Sequence, residues 1–299
     1  MPSHVFISGT NSGIGRLAAL TLAQRGHRVF ATMRSPQTAH QAEAAHLVDA
    51  SASMPGSISV YEMELATGSS VEEACAKVLS DAGHIDVVVN NAGLTTMGLA
   101  ETMTDQQLLY QLDVNLVGPH RVLRALLPSM RARKQGLLIH VSDTLGRMVL
   151  PTMGVHCASK AGLEALMDAY RYELAPLGIE STLVQPGQYP TGFVDRLEVG
   201  DDFDRNPGYG PMSDALDRMG AQFRQRISGS KPAPNPQIVA DTITMLIELA
   251  PGSRPDRFVV DALDAGEMLR LNDAHRRVQR EVLTKFGFGD AEPEPEAES

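Results

Sequence analysis

Three glycines, Gly9, Gly13 and Gly15, stand in the run Ser8-Gly9-Thr10-Asn11-Ser12-Gly13-Ile14-Gly15. The run directly follows the apolar triplet Val5-Phe6-Ile7 and opens a helix-patterned stretch. Glycines at this spacing permit a tight turn, close backbone approach to a pyrophosphate and tight helix–sheet packing. The helix N-terminus then offers N–H groups and partial positive charge to the phosphates. Asn11, Ser12 and Ile14 lie within the same loop and are placed among the dinucleotide contacts. A second strand ends in Ala31-Thr32-Met33-Arg34-Ser35. An NAD enzyme usually carries an acid there for the ribose 2′-hydroxyl. This segment has none, and the Arg34 guanidinium suits a 2′-phosphate, so NADP(H) is expected in preference to NAD(H).

A second constellation is His156-Cys157-Ala158-Ser159-Lys160. On a helix, positions 156 and 160 share a face, and a lysine cation beside imidazole favours the neutral ring. Neutral imidazole is better suited to accepting a proton than to donating one. Asp143 stands next to Ser142, either orienting His156 or lying as an exposed loop acid. His140 precedes Ser142 by two and faces the same side of its strand, so it reads as a hydrogen-bonded core histidine. No metal-ligand spacing is found, and Cys75 and Cys157 read as buried thiols.

These residues need a scaffold, and the rhythm of the chain supplies one. Apolar strands at Val5–Ile7, Arg28–Thr32, Ser57–Glu62, Ile85–Val89, Leu137–Val141, Glu180–Val184 and Arg257–Val260 alternate with helical stretches. The helical stretches are Gly15–Arg25, Ala39–Ala50, Ser70–Ala82, Asp105–Arg133, Val155–Pro176 and Pro236–Leu249, with a weaker one at Ser213–Arg226. Strands apolar throughout and separated by helices indicate an α/β fold. The expected form is a Rossmann-type, doubly wound, parallel seven-stranded sheet with helices on both faces. Residues 1–286 read as one domain, with 187–235 as a substrate lid and 265–286 as a C-terminal helix. Residues 287–299 read as a disordered acidic tail, because Asp290, Glu292, Glu294, Glu296 and Glu298 have no basic partner.

That tail holds half of the net charge of -10, and no basic footprint for nucleic acid is present. No apolar run approaches the length of a membrane span and no signal peptide precedes the first strand, so a cytoplasmic protein is expected.

Further motifs complete a pattern. Asn90-Asn91-Ala92-Gly93 follows the fourth strand, Asn115 lies within the long fifth helical stretch, and Ser142 ends a strand. Pro186-Gly187 and Thr191 follow the next strand. Together with the glycine loop and Lys160, these motifs strongly resemble the short-chain dehydrogenase/reductase family over roughly residues 3–195. The Ala-Thr-Met-Arg segment and extended C-terminal region look like its steroid- and retinol-dehydrogenase-like members. The resemblance implies that Asn91, Ala92 and Gly93 brace the sheet beside the adenine ribose. It places Glu64 and Leu65 near the adenine and implies that Asn115 holds a water in a proton relay. Ser142 would meet the substrate oxygen, and Lys160 would bind the nicotinamide ribose. Pro186, Gly187 and Thr191 would hold the nicotinamide.

The chain departs from the family at one position. Where the family has Tyr-x-x-x-Lys, His156 stands in the tyrosine's place. The six tyrosines are Tyr61, Tyr110, Tyr170, Tyr172, Tyr189 and Tyr209, and only Tyr189 falls near the nicotinamide end of the pattern. The expected function is NADP(H)-dependent interconversion of a carbonyl and a secondary alcohol, on an apolar small molecule. The alternatives are a non-redox isomerase, dehydratase or lyase using His156 as base, or an impaired cofactor-binding pseudo-enzyme. Apolar residues at Met148, Val149, Leu150, Met153, Phe203, Tyr209, Met212, Met219 and Phe223 either line a substrate site or dock the lid. The long helices are expected to pair copies into a homodimer or homotetramer.

Overall fold

A computed structural model describes residues 2–191, 197–230 and 233–288. The calls on Gly192–Arg196 and Lys231–Pro232 of the lid, and on the tail from Gly289, lie outside the described residues. The central sheet contains β1 (His4–Ser8), β2 (Arg28–Met33), β3 (Ser57–Glu62), β4 (Val87–Asn90), β6 (Gly136–Val141), β7 (Ile179–Pro186) and β9 (Arg257–Val260). Its spatial order is β3-β2-β1-β4-β6-β7-β9, and every pairing is parallel. The order reverses between β1 and β4, which opens a crevice beyond their carboxyl ends. The expected doubly wound sheet is therefore present.

Alternation along the strands explains the two cores. Val5, Ile7, Val89 and Ile139 face α1 (Gly13–Gln24) and α8 (Gln237–Glu248), whereas Phe6, Val88 and Leu138 face α3 (Gly68–Ala82), α5 (Gly118–Arg133) and α6 (Gly154–Leu174). With both faces covered, the strands have no polar side, which is why they read as continuous apolar runs. Each such fully buried side chain contributes roughly 1.5–3 kcal/mol relative to exposure.

The stretch 105–133, expected as one helix, is divided. It consists of α4 (Asp105–Leu112), a π-helical segment Asp113–Val117, and α5. The added residue in the π turn shifts the helix phase and buries Val114 and Asn115. Arg121 anchors the segment through Asp113 Oδ1 at 2.7 Å and the Leu65 carbonyl at 2.8 Å. A periodic apolar pattern does not reveal a one-residue insertion, so the break was not legible in sequence. A small parallel pair, β5 (Thr96–Met97) with β8 (Glu198–Val199), was also missed.

The lid region holds α7 (Ala215–Gly229), and α9 (Ala265–Lys285) follows β9. Phe223 packs with Met97, Met153 and Cys157 over the start of α6. Among the described residues, no helix is long and apolar enough to cross a membrane.

Candidate active site

The glycine loop is built by contact with the β4 loop. Gly9 has a left-handed φ of +73°, and a Cβ there would stand 2.7 Å from Ala92 Cα. A Cβ on Gly15 would collide with the Gly9 carbonyl and the Asn91 amide. Asn91 Nδ2 donates to the carbonyls of Ser8 at 3.0 Å and Gly9 at 3.1 Å. Ser8 Oγ in turn accepts from the backbone N–H groups of Asn91 and Ala92, both at 3.1 Å. Asn91 and Ala92 thus brace the switch point. α1 starts at Gly13 with no acid in its first turn, leaving its positive end directed at the crevice.

From this loop runs a cleft of about 1030 Å³. Gly9, Asn11, Ser12, Gly13, Ile14, Asn91, Ala92 and Gly93 line one end. Gly15 does not line it; it is the packing contact behind Gly9. Arg34, Glu64 and Leu65 line the same end. Arg34 is mostly exposed, with Nη1 3.7 Å from Glu64 Oε2 and 3.5 Å from Tyr110 Oη. His40, which the sequence reading passed over, lines the cleft beside Arg34 and lies 3.5 Å from Asn11 Nδ2. A backbone cradle closed to any Cβ, a helix N-terminus and a guanidinium fit a dinucleotide phosphate.

Ser142, His156, Lys160, Pro186, Gly187 and Thr191 line the other end. His156 is 1% exposed on the first turns of α6. Its Nε2 lies 3.3 Å from Asp143 Oδ2, and its Nδ1 lies 3.3 Å from Gln111 Nε2. Gln111 Nε2 also donates to the Leu94 carbonyl at 3.3 Å, which fixes the amide with its nitrogen towards the ring. Thr96 Oγ1 donates to Gln111 Oε1. An amide nitrogen, shared with Ser159 Oγ at 3.4 Å, facing Nδ1 favours the tautomer in which Nδ1 accepts and Nε2 carries the ring proton towards Asp143. Both ring nitrogens are held by the protein, and Asp143 and His156 line the cleft side by side. Asp143 is therefore a site residue, and the reading of it as an exposed loop acid is replaced. Burial pushes its carboxyl up, but the His156 hydrogen bond, the Leu145 N–H and the Lys160 charge outweigh this and hold it below the ordinary carboxylate range.

Lys160 is buried and donates from Nζ to the Val141 carbonyl at 3.0 Å. Burial lowers its pKa from the ordinary lysine value, and Asp143 and Glu164 offset this only in part. Asn115 does not line the cleft. Its Oδ1 accepts from Leu94 N–H at 2.8 Å, and its Nδ2 donates to the Leu94 carbonyl at 2.8 Å and to Ser159 Oγ at 2.9 Å. These bonds tie the π segment to the β4 loop and to α6. Tyr189 lines the cleft, yet its hydroxyl donates to the Val260 carbonyl at 3.2 Å. Burial and then Asp261 push it up to about 12, so it does not replace the absent tyrosine.

Ser142 directly follows β6, and its hydroxyl donates to Glu164 Oε1 at 2.9 Å. Glu164 is 2% exposed and was not singled out in the sequence, where it is one acid among 36. Arg147 and Arg257 pair with it at 2.9 and 3.3 Å, and Gln185 donates to it at 2.8 Å. Removing one partner of such a buried pair costs roughly 3–5 kcal/mol.

The apolar set splits. Leu150, Met153 and Phe223 line the cleft with Leu145, while Phe203, Tyr209, Met212 and Val149 are exposed. Tyr209 instead donates to Glu101 at 2.8 Å. His140 is fully buried against Asn90 and lowered to about 3 by burial, as a core histidine. At the amino ends of the central strands β1 and β4, away from the cleft, His4, His84 and Asp86 bring ligand-type atoms within 4.8 Å. Arg133 pairs with Asp86 at 3.0 Å and Arg28 approaches His4 Nε2 at 3.2 Å, so this cluster is already engaged.

The model of the short chain dehydrogenase family matches residues 3–200. The chain belongs to the short-chain dehydrogenase family. This dehydrogenase is accordingly an NAD(P)-dependent oxidoreductase. Human 17-beta-hydroxysteroid dehydrogenase type 1 is 30% identical to it over 305 residues, covering 98% of this chain and 88% of the relative. The structure of a short-chain dehydrogenase from Streptomyces avermitilis superposes with a TM-score of 0.74 at 26% identity, covering 96% of this chain and 97% of that one. A metagenomic short-chain oxidoreductase in complex with NADP superposes with a TM-score of 0.66 at 25% identity, covering 87% and 96%.

Proposed function

We propose that this dehydrogenase uses NADP(H) to interconvert a carbonyl and a secondary alcohol on an apolar small molecule. The Asp143–His156 pair would take the proton-handling part that tyrosine plays in the family. The observation that carries the proposal is one cleft with a phosphate cradle and Arg34 at one end and Asp143, His156 and Lys160 at the other. The glycine loop and the N-terminus of α1 would hold the pyrophosphate, and Arg34 with His40 the 2′-phosphate. Lys160, Pro186, Gly187 and Thr191 would hold the nicotinamide end. A bound nicotinamide supplies a hydride acceptor in one direction and a hydride donor in the other.

The protein's own groups do the rest. The Asp143 carboxylate takes the hydroxyl proton of an alcohol and returns a proton to a carbonyl oxygen in the reverse direction. His156 lies beside it as a hydrogen-bond donor and stabilises the ionised carboxylate. Lys160 adds a positive charge beside both. Leu145, Leu150, Met153 and Phe223 exclude water and receive an apolar substrate. A hydroxysteroid and its ketone are the first substrate pair to assay, in view of the 17-beta-hydroxysteroid dehydrogenase relative. Pairing of two copies is supported by the exposed Leu108, Leu109 and Val117 along α4 and the π segment, and sedimentation reads it directly.

The cofactor test is a fluorescence titration with NADPH and NADH for native protein and Arg34→Ala. A hydrogen bond to a charged group is worth about 1.5–3 kcal/mol, so NADPH affinity should fall about 10- to 100-fold while NADH affinity changes by under about 2-fold. Equal loss for both, or equal native affinity for both, would contradict the NADP(H) assignment.

A further inference from the structure

We propose that Gln111 keeps the His156 ring singly protonated, with its proton on Nε2, and thereby sets the strength of Asp143 as the base in the cleft. The inference rests on the reading of Asp143 as that base and adds the residue that tunes it. Gln111 is fully buried at the end of α4. Its amide has one orientation in which donors meet acceptors throughout. Nε2 lies 3.3 Å from the Leu94 carbonyl, 3.4 Å from Ser159 Oγ and 3.3 Å from His156 Nδ1. Oε1 accepts the Thr96 hydroxyl proton. Ser159 gives its own proton to the His156 carbonyl at 2.8 Å and accepts from Asn115 Nδ2 at 2.9 Å. A reversed amide would set its oxygen against the Leu94 carbonyl and a Ser159 lone pair. Asn115 Nδ2 shares the Leu94 carbonyl at 2.8 Å, so the two amides form one buried network joining α4 and the π segment to α6.

The consequence lies at Nδ1. Among the described residues its only hydrogen-bond partner is this amide nitrogen, which offers a proton and takes none. A second ring proton would point at the amide hydrogens. The ring is buried, so bulk water does not relieve that clash, and a buried charge without a bond for its proton is costly. The Asp143 carboxylate, 3.3 Å from Nε2, pulls the other way, towards an imidazolium. Lys160, one turn further along α6, adds its repulsion to the opposition from the amide. A neutral ring lends Asp143 one hydrogen bond. An imidazolium would lay a full positive charge against the carboxylate and weaken it as a base. Gln111 is thus a positioning residue that acts through His156.

The test is a two-bond proton–nitrogen correlation spectrum of protein labelled on its histidine ring nitrogens, recorded near neutral pH. The His156 signals are assigned by their loss in His156→Gln. Native protein should show a bare, pyridine-like Nδ1 and a protonated Nε2. Gln111→Glu sets a carboxylate at Nδ1 and should give a ring protonated on both nitrogens. Its kcat/KM for alcohol oxidation should be at least about 10-fold lower, with NADPH affinity changed by under about 2-fold. A merely structural role would lower the melting temperature of Gln111→Glu and leave its ring with one proton, and that result overturns the proposal. A doubly protonated ring with undiminished turnover overturns it as well. If Gln111→Glu does not fold, the native spectrum decides alone: a proton on Nδ1, with or without one on Nε2, overturns the proposal. Failure to bind NADPH would remove the oxidoreductase reading, while the spectra would still report what Gln111 does to the ring.

Discussion

Lys160→Met should lower kcat/KM by at least about 100-fold while raising the melting temperature near pH 7. The two effects have one origin. Lys160 is buried, its ammonium donates to the Val141 carbonyl, and burial outweighs the attraction of Asp143 and Glu164. Its folded pKa therefore lies below the unfolded value of about 10.4. Between the two values the unfolded chain binds more protons, so stability rises with pH through that interval. Below it the charged amine is a full cost to the fold, and an uncharged side chain of similar length removes that cost. Methionine also removes the cation beside Asp143 and the proposed contact to the nicotinamide ribose, hence the loss of activity. Calorimetry near pH 7 and near pH 10 checks the linkage: the stability gain should shrink at the higher pH. A variant that melts below native protein near pH 7 would show that the ammonium is a net stabiliser.

Asp143→Asn should lower kcat/KM by about 10²–10⁴-fold, the usual range for loss of a positioned acid or base, with NADPH affinity changed by under about 2-fold. Asparagine keeps the shape and the bond to Leu145 N–H, but it cannot take a proton. The pH dependence follows from the direction of the Asp143 shift. Its carboxyl is held below the ordinary range, so the base form persists at neutral pH and is lost only as pH falls through the lowered value. Its contribution to stability has the same window: present above the unfolded carboxylate pKa of about 3.9 and lost below it. Alcohol oxidation should therefore show no acidic limb from Asp143 between about pH 5 and pH 7. Such a limb, retained unchanged in Asp143→Asn, would assign the proton transfer elsewhere.

The sheet was legible because parallel strands covered on both faces have no polar alternation, and the glycine loop because few residue types tolerate its contacts. Asp143 and Glu164 were much less so. Asp143 owes its role to a ring thirteen positions later, and Glu164 to Ser142 twenty-two positions earlier. Neither pairing has a local signature, since both are made by the return of α6 beneath the end of β6. Gln111 is similar: it faces His156 through the phase of α4 and the π segment, which the apolar pattern had merged into one helix. The histidine itself was plain in the sequence, but the fact that both its nitrogens are held by the protein was not.

The most direct test of the central claim is a paired measurement of NADPH turnover by native protein and His156→Tyr, on one panel of apolar ketones. With tyrosine at 156, the hydroxyl enters the space that Asp143 fills and the Asp143–His156 bond is gone. The account predicts that native protein turns over and that the tyrosine variant is slower by about 10-fold or more. Turnover by the tyrosine variant alone would contradict it, and would mark the native slot as defective.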